Sequence, residues 1–183
     1  MLAIDLGLSV RWSDRNMGAN TPTDAGELYA WAEILPKESY TWENYLDWLE
    51  SGLYGPYKET HFRRIIHKIN SFDDAITIKH GVMWRIPTAD EFEELITKCR
   101  WISTKENNVS GYRIYGANGN SIFLPICGDS VGFLNYWSST RMNSPQHAKN
   151  LEAYTGKPRV VYRARFYGFC LRGVSEKRNN ILI

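Results

Sequence analysis

Gly128-Asp129-Ser130-Val131-Gly132 has the G-x-S-x-G spacing of a nucleophile elbow, which holds a serine on a sharp turn between a strand and a helix. Residues 122–126 supply a strand-like run, but Phe133-Leu134-Asn135-Tyr136-Trp137 has no helical period after it. Only Glu152 and Glu176 follow as acids, and His147 precedes both, the reverse of the order the elbow requires. The motif reads as a glycine-rich loop. The other histidines, His61, His67 and His80, form no i, i+4 pair with one another or with His147, and no H-E-x-x-H occurs, so zinc-ligand spacing is missing. His61 and His67, six residues apart, fall on nearly opposite faces of a helix. Glu27 and Glu33 come nearest to a general acid–base pair, and nothing in the sequence orients them. No Walker A or G-x-G-x-x-G stretch cradles a phosphate. Cys99, Cys127 and Cys170 are odd in number and widely spaced, with no C-x-x-C pair. Their apolar neighbours predict three buried free thiols rather than a disulfide framework. Catalysis, metal binding and cofactor binding have no constellation here, and the expectation is a protein that is not an enzyme.

The elements that would position a site belong to a chain of 183 residues, 43% hydrophobic and 23% charged, a composition that excludes disorder. That length predicts one domain, over residues 1–174, with a short tail at 175–183. No apolar run approaches the roughly 18 residues of a membrane span. The opening Met1-Leu2-Ala3-Ile4-Asp5 has neither the basic nor the apolar region of a signal peptide. The net charge of +2 is uneven: residues 141–183 hold 9 Lys/Arg against 2 Asp/Glu, while the remainder is net acidic. A basic quarter of this kind suits an acidic partner or a solvated face, and specific nucleic-acid binding is not expected. Aromatic residues reach 14%, a proportion that fits cores and recognition surfaces alike.

Residues 3–17 suggest a strand, a turn and a second strand. Gly18, Asn20, Pro22, Asp24 and Gly26 mark a loop. Phe62, Ile65, Ile66 and Ile69 fall at i, i+3, i+4 and i+7, one helical face between residues 61 and 78. Pro87-Thr88-Ala89-Asp90-Glu91 carries a capping box, with Phe92, Leu95, Ile96 and Cys99 periodic after it, and predicts a helix over 89–99. Runs at 112–115 and 121–124 around Gly116-Ala117-Asn118-Gly119-Asn120 predict a hairpin. Strands follow at 136–139, 148–154, 160–163 and 166–174, with a loop at 141–147. The order, helices early and antiparallel strands late, predicts an α+β architecture.

Several stretches then carry a family resemblance: Ile4-Asp5-Leu6-Gly7-Leu8-Ser9-Val10-Arg11-Trp12, Tyr29-Ala30-Trp31-Ala32-Glu33, Trp84-Arg85-Ile86-Pro87-Thr88 and Gly116-Ala117-Asn118-Gly119-Asn120-Ser121-Ile122-Phe123-Leu124-Pro125. Phe92-Glu93-Glu94-Leu95, Tyr136-Trp137-Ser138-Ser139-Thr140 and Arg165-Phe166-Tyr167-Gly168-Phe169 complete the set. In this order, over about residues 3 to 174, the chain resembles the major paralogous domain family first named from Fibrobacter succinogenes and abundant in Bacteroidetes. The resemblance implies a C-type-lectin-like fold, an α+β domain with early helices, irregular antiparallel strands and long loops. Gly173, Cys170 and Ala32 stand where that family usually has Pro, Ser and Gly. The resemblance brings no activity. The calcium-site tripeptides of sugar-binding C-type lectins are absent, as are the paired catalytic cysteines of formylglycine-generating enzymes.

The frame 136–140 and 165–169 is also similar to that of the variable proteins of diversity-generating retroelements. In those proteins a tolerant segment lies between Tyr-Trp-Ser-Ser-Thr and Arg-Tyr-Tyr-Gly-Phe. The resemblance implies a ligand-binding domain displaying a variable surface from residues 141–164, bound to a protein or glycan at a cell surface, in secretion or on a phage. Strand alternation places Leu151 and Ala153 inward and Asn150, Glu152 and Tyr154 outward. The expected surface is one exposed face of Met142, Asn143, Gln146, His147, Glu152, Tyr154, Arg159, Tyr162 and Arg163. A structural or adhesive surface module making permanent protein contacts is the alternative, and an enzyme acting at Cys170 or Ser130 is weaker.

Overall fold

A computed structural model describes residues 1–45, 68–127, 132–144 and 146–177. Strands β1 (Ala3–Asp5) and β2 (Val10–Asn16) open the chain, followed by β3 (Leu28–Tyr29) and a single 3-10 turn at Trp42–Asn44. Two α-helices, α1 (Ala75–His80) and α2 (Ala89–Lys98), precede β4 (Arg100–Glu106), β5 (Val109–Tyr115) and β6 (Ser121–Pro125). The chain continues through β7 (Leu134–Arg141), β8 (His147–Tyr154), β9 (Lys157–Ala164), β10 (Phe169–Cys170) and β11 (Arg172–Glu176). These strands form three sheets, ordered β1-β2-β11, β3-β10-β7-β8-β9 and β4-β5-β6.

The expected α+β C-type-lectin-like architecture is corrected by this inventory. Strand makes up 43% of the described residues and helix 13%, so the fold is β-rich, built of three sheets. The helical period over 61–78 accounts for part of the error. Residues 61–67 lie outside the described residues, but Lys68 bridges to Thr140, and the turn at 71–73 follows. Among the described residues of that stretch, only the short α1 is helical. Strands are also not confined to the later half, because β2 pairs with both β1 and the closing β11. β11 runs through Glu176, two residues past the boundary expected at 174.

Local chemistry explains the elements that position the sheets. Thr88 accepts from the Glu91 backbone N–H at 3.2 Å, and the Glu91 carboxylate accepts from the Thr88 N–H at 2.8 Å. This reciprocal cap starts α2 as the sequence predicts. Phe92 and Leu95 are fully buried in one core with Trp12, Ile122, Leu124, Leu134, Tyr136 and Leu151, and Ile96 packs at its margin. Asp74 caps α1 by accepting from Ile76 and Thr77 at 3.0 Å, and it also holds the Ile86 N–H at 2.8 Å. Burial raises the Asp74 carboxyl above its ordinary pKa despite those donors. A second core gathers Tyr29, Trp31, Ile76, Ile86, Trp137, Phe169 and Leu171. The β5–β6 hairpin forms as expected, and its turn closes on the N-terminal segment. Asn118 and Asn120 both donate to the Asp5 carbonyl at 2.8 Å, and a Cβ on Gly116 would meet the Leu6 carbonyl oxygen at 2.2 Å.

The cysteine expectation is also corrected. Cys127 and Cys170 form a disulfide, with their Cα atoms 6.4 Å apart, and only Cys99 is a free thiol. Burial raises the Cys99 thiol above its ordinary pKa. A separation of 43 residues hid the pair, because the fold and not the local sequence brings β10 beside the end of β6.

Candidate recognition surface

The two framing motifs are structural. Tyr136, Trp137, Ser138 and Ser139 are buried. The Tyr136 hydroxyl donates to the Pro125 carbonyl at 3.0 Å and accepts from Asn16 at 3.0 Å. Trp137 Nε1 donates to the Tyr29 carbonyl at 2.9 Å, and the Ser138 hydroxyl donates to the Lys149 carbonyl at 2.7 Å. The Thr140 hydroxyl accepts from the Ala89 N–H at the start of α2. In the second motif, buried Arg165 sets its guanidinium 4.4 Å from the centre of the Trp31 ring, and Phe169 packs 4.5 Å from Trp137.

Between them, β7, β8 and β9 form an antiparallel meander whose register decides where each side chain goes. β7 pairs Tyr136 with Leu151 and Asn135 with Glu152. β8 pairs Glu152 with Arg159, Asn150 with Val161, Ala148 with Arg163 and Lys149 with Tyr162. Directly opposed residues share a face. Glu152, Tyr154, Arg159 and Arg163 therefore lie on one face, and His147 and Tyr162 on the other. The expected single face of nine residues is not formed.

On the first face Glu152 is 2% exposed, which corrects its outward placement, and Asn150 is fully buried beside it. The Glu152 carboxylate accepts from Arg159 at 2.7 Å and pairs with Arg163, whose side chains remain 64% and 40% exposed. Alternation failed here because both faces of β8 are covered: Leu151 and Ala153 are as buried as Asn150 and Glu152. Asn150 Nδ2 donates to Asn135 Oδ1 at 3.1 Å, while Asn150 Oδ1 is buried without a hydrogen bond from the described residues. Tyr154, half exposed, stacks on Phe133 at 4.3 Å. Extending the β7–β8 register by one residue brings those two rings together, a signal readable only once the register is known.

On the second face Tyr162 is 57% exposed and meets the His147 ring edge-on at 5.7 Å. Ser144 Oγ lies 3.0 Å from His147 Nδ1. No carboxylate among the described residues hydrogen-bonds to that ring, so the contact closes the loop and no nucleophile–base–acid series is built. Asn143 is exposed in the same loop, with Met142 and Gln146 partly so, and Pro145 lies outside the described residues. Phe133, Ser144 and Lys149 also belong to this region, although their spacing in the sequence does not mark them.

Glu27 and Glu33 do not come together as an acid–base pair. Glu27 accepts from Tyr29 and Lys79, whereas Glu33 pairs with Lys37 at 2.7 Å. Residues 128–131 of the G-x-S-x-G stretch, together with His61 and His67, lie outside the described residues. Among the described residues, no group of three or more His, Cys, Asp or Glu could hold a metal, and no helix is long and apolar enough to cross a membrane. Compared with family models, curated proteins and solved structures, the chain matches none.

Proposed function

We propose that this chain is a non-catalytic recognition domain presenting the β8–β9 hairpin and the loop before it to a protein or glycan ligand. One observation carries the reading. Residues 136–139 are buried and tied down, whereas the segment they frame puts Tyr154 and Tyr162 at 50% and 57% exposure on regular strands. Tyrosine and arginine are enriched at binding hot spots, and strands hold them with little entropy left to lose. The same partition supports the resemblance to retroelement-diversified proteins: a fixed scaffold around positions that tolerate change. Glu152 belongs to the scaffold in this reading, as the anchor of Arg159 and Arg163.

The reading is tested by replacing Met142, Asn143, Gln146, Arg159 and Tyr162 together with varied residues. Surface changes usually fall within about ±0.5 kcal/mol each, so the melting temperature should stay near that of the parent. The flanking DNA should contain a near-copy of the codons for residues 137–169, differing at adenines, beside a reverse transcriptase. General unfolding of the variants together with the lack of such a copy would sink the proposal.

A second reading, a structural or adhesive module, draws on an apolar cluster around α1. Ile78, Val82 and Met83 are 51%, 86% and 54% exposed within six residues. Exposed apolar clusters mark permanent contacts when they are contiguous. Concentration-dependent self-association abolished by Val82→Asp would favour it.

A further inference from the structure

Among the described residues, the sheet order β3-β10-β7-β8-β9 leaves β9 with a strand neighbour on one side only. The Arg165 N–H donates to the Gln146 carbonyl at 3.0 Å, which makes Gln146 and Arg165 a bonded pair one step beyond the β8–β9 ladder. Bonded pairs recur every second residue in an antiparallel ladder. Lys157, Arg159, Val161 and Arg163 thus turn their backbone groups toward β8. Pro158, Val160, Tyr162 and Ala164 turn theirs away from it.

That outer row is partly blocked and partly open. Pro158 has no N–H to offer, the usual place for proline on an edge strand. The Tyr162 carbonyl accepts from Arg163 Nη1 at 3.1 Å, and the Ala164 carbonyl accepts from the Tyr167 N–H at 3.2 Å. Among the described residues nothing bonds to the Val160 N–H, the Val160 carbonyl or the Tyr162 N–H. This is the row that an added strand would use.

Charge selects the occupant. Arg159 and Arg163 flank Val161 on one face, with Lys157 at the start of the strand, and the two arginines share the single Glu152 carboxylate. A second copy pairing antiparallel about Val161 would set arginine against arginine, which is destabilising across strands. An extended chain with carboxylates at alternate positions would oppose both arginines and turn its other side chains toward Tyr162.

We propose that the free edge of β9 binds an extended acidic peptide as an added antiparallel strand, hydrogen-bonded at Val160 and Tyr162. This rests on the reading of the hairpin as the recognition surface and names the mode and chemistry of its partner. The probe is a capped eight-residue peptide alternating valine and glutamate. Its comparators are the valine–lysine counterpart and the same acidic peptide N-methylated at the positions facing Val160 and Tyr162. The acidic peptide should bind at least tenfold more tightly than either, more weakly as salt rises, and should slow hydrogen exchange at the Val160 and Tyr162 amides. Tyr162→Pro removes one outward N–H and should weaken binding at least tenfold, while Tyr162→Phe should not. Should Tyr162→Pro fail to fold, the N-methylated peptide on the parent protein makes the same cut. Equal binding of the three peptides, protection elsewhere than β9, or an edge already protected in a self-associated protein would overturn the proposal. Those failures leave the recognition reading standing if the fivefold surface variants still fold and the adenine-variant copy is found.

Discussion

Glu152 shows what a single residue contributes to this hairpin. Its carboxylate is buried, and the arginines that neutralise it are partly in water, so the three groups are unequal partners. Removing Arg159 or Arg163 alone leaves the carboxylate one cation and costs little, within the range of exposed ion pairs, about 0–1 kcal/mol. Removing both leaves a buried charge unpaired, the expensive case. Arg159→Ala/Arg163→Ala should therefore exceed the sum of the single variants by roughly 1–3 kcal/mol in urea unfolding; additive losses would mean that Glu152 is solvated. Glu27 offers a pH test. The Tyr29 hydroxyl and, against partial burial, the Lys79 ammonium hold its carboxyl below the ordinary glutamate pKa. A lowered folded pKa gives stability that is present above the unfolded value and is lost as pH falls through the folded one. Glu27→Gln should flatten that loss below about pH 4.5, and an unchanged acid limb would contradict the assignment. At this scale the sequence reveals residue types, such as Tyr162 and Arg159 at the surface, but not Glu152. Which neighbour covers a strand face depends on packing that alternation does not encode.

Among the elements, legibility follows how local the determining interactions are. The α2 helix is specified within four residues by Thr88 and Glu91, and its apolar face by spacing alone. Thr88→Ala should cost about 1 kcal/mol by loss of the cap, and Leu95→Ala about 2–5 kcal/mol by opening a cavity in the core. A change within ±0.5 kcal/mol for Leu95→Ala would mean that the helix face is not core. The β5–β6 hairpin was equally legible from its Asn-Gly turn. The β4–β5 hairpin was not, although Asn107 and Asn108 both adopt positive φ, 45° and 65°, as a two-residue turn demands. Asparagine visits that region less readily than glycine does, so an Asn-Asn pair marks such a turn more weakly than Asn-Gly. The apolar run 166–174 reads as one strand but serves two sheets, β10 beside β7 and β11 beside β2. A run of apolar residues says that a segment is buried, not which neighbour takes its hydrogen bonds.

For the molecule as a whole, closure depends on contacts between distant parts of the chain. β11 lies against β2, Arg85 brackets Val174 through two backbone hydrogen bonds, and Cys127 is linked to Cys170. The disulfide spans β7, β8 and β9, so it closes a loop containing the whole candidate surface. With the two cysteines 43 positions apart in sequence, chain-entropy reasoning gives a stabilisation of about 4 kcal/mol, acting mainly through the unfolded ensemble. That origin separates stability from surface geometry. Reduction, or the Cys127→Ala/Cys170→Ala pair, should lower the urea midpoint by an amount equivalent to about 2–5 kcal/mol. The Tyr162–His147 contact should persist below the new transition, checked by their ring proton shifts. Alkylation supplies an independent count: one thiol, Cys99, should react in the unreduced unfolded chain and three after reduction. Three reactive thiols without reductant, or a midpoint that does not move on reduction, would restore the three free thiols that the spacing alone suggests. In that case the β7–β8–β9 meander would be held without a covalent link, by its ladders and by contacts such as the packing of Trp137 on Phe169.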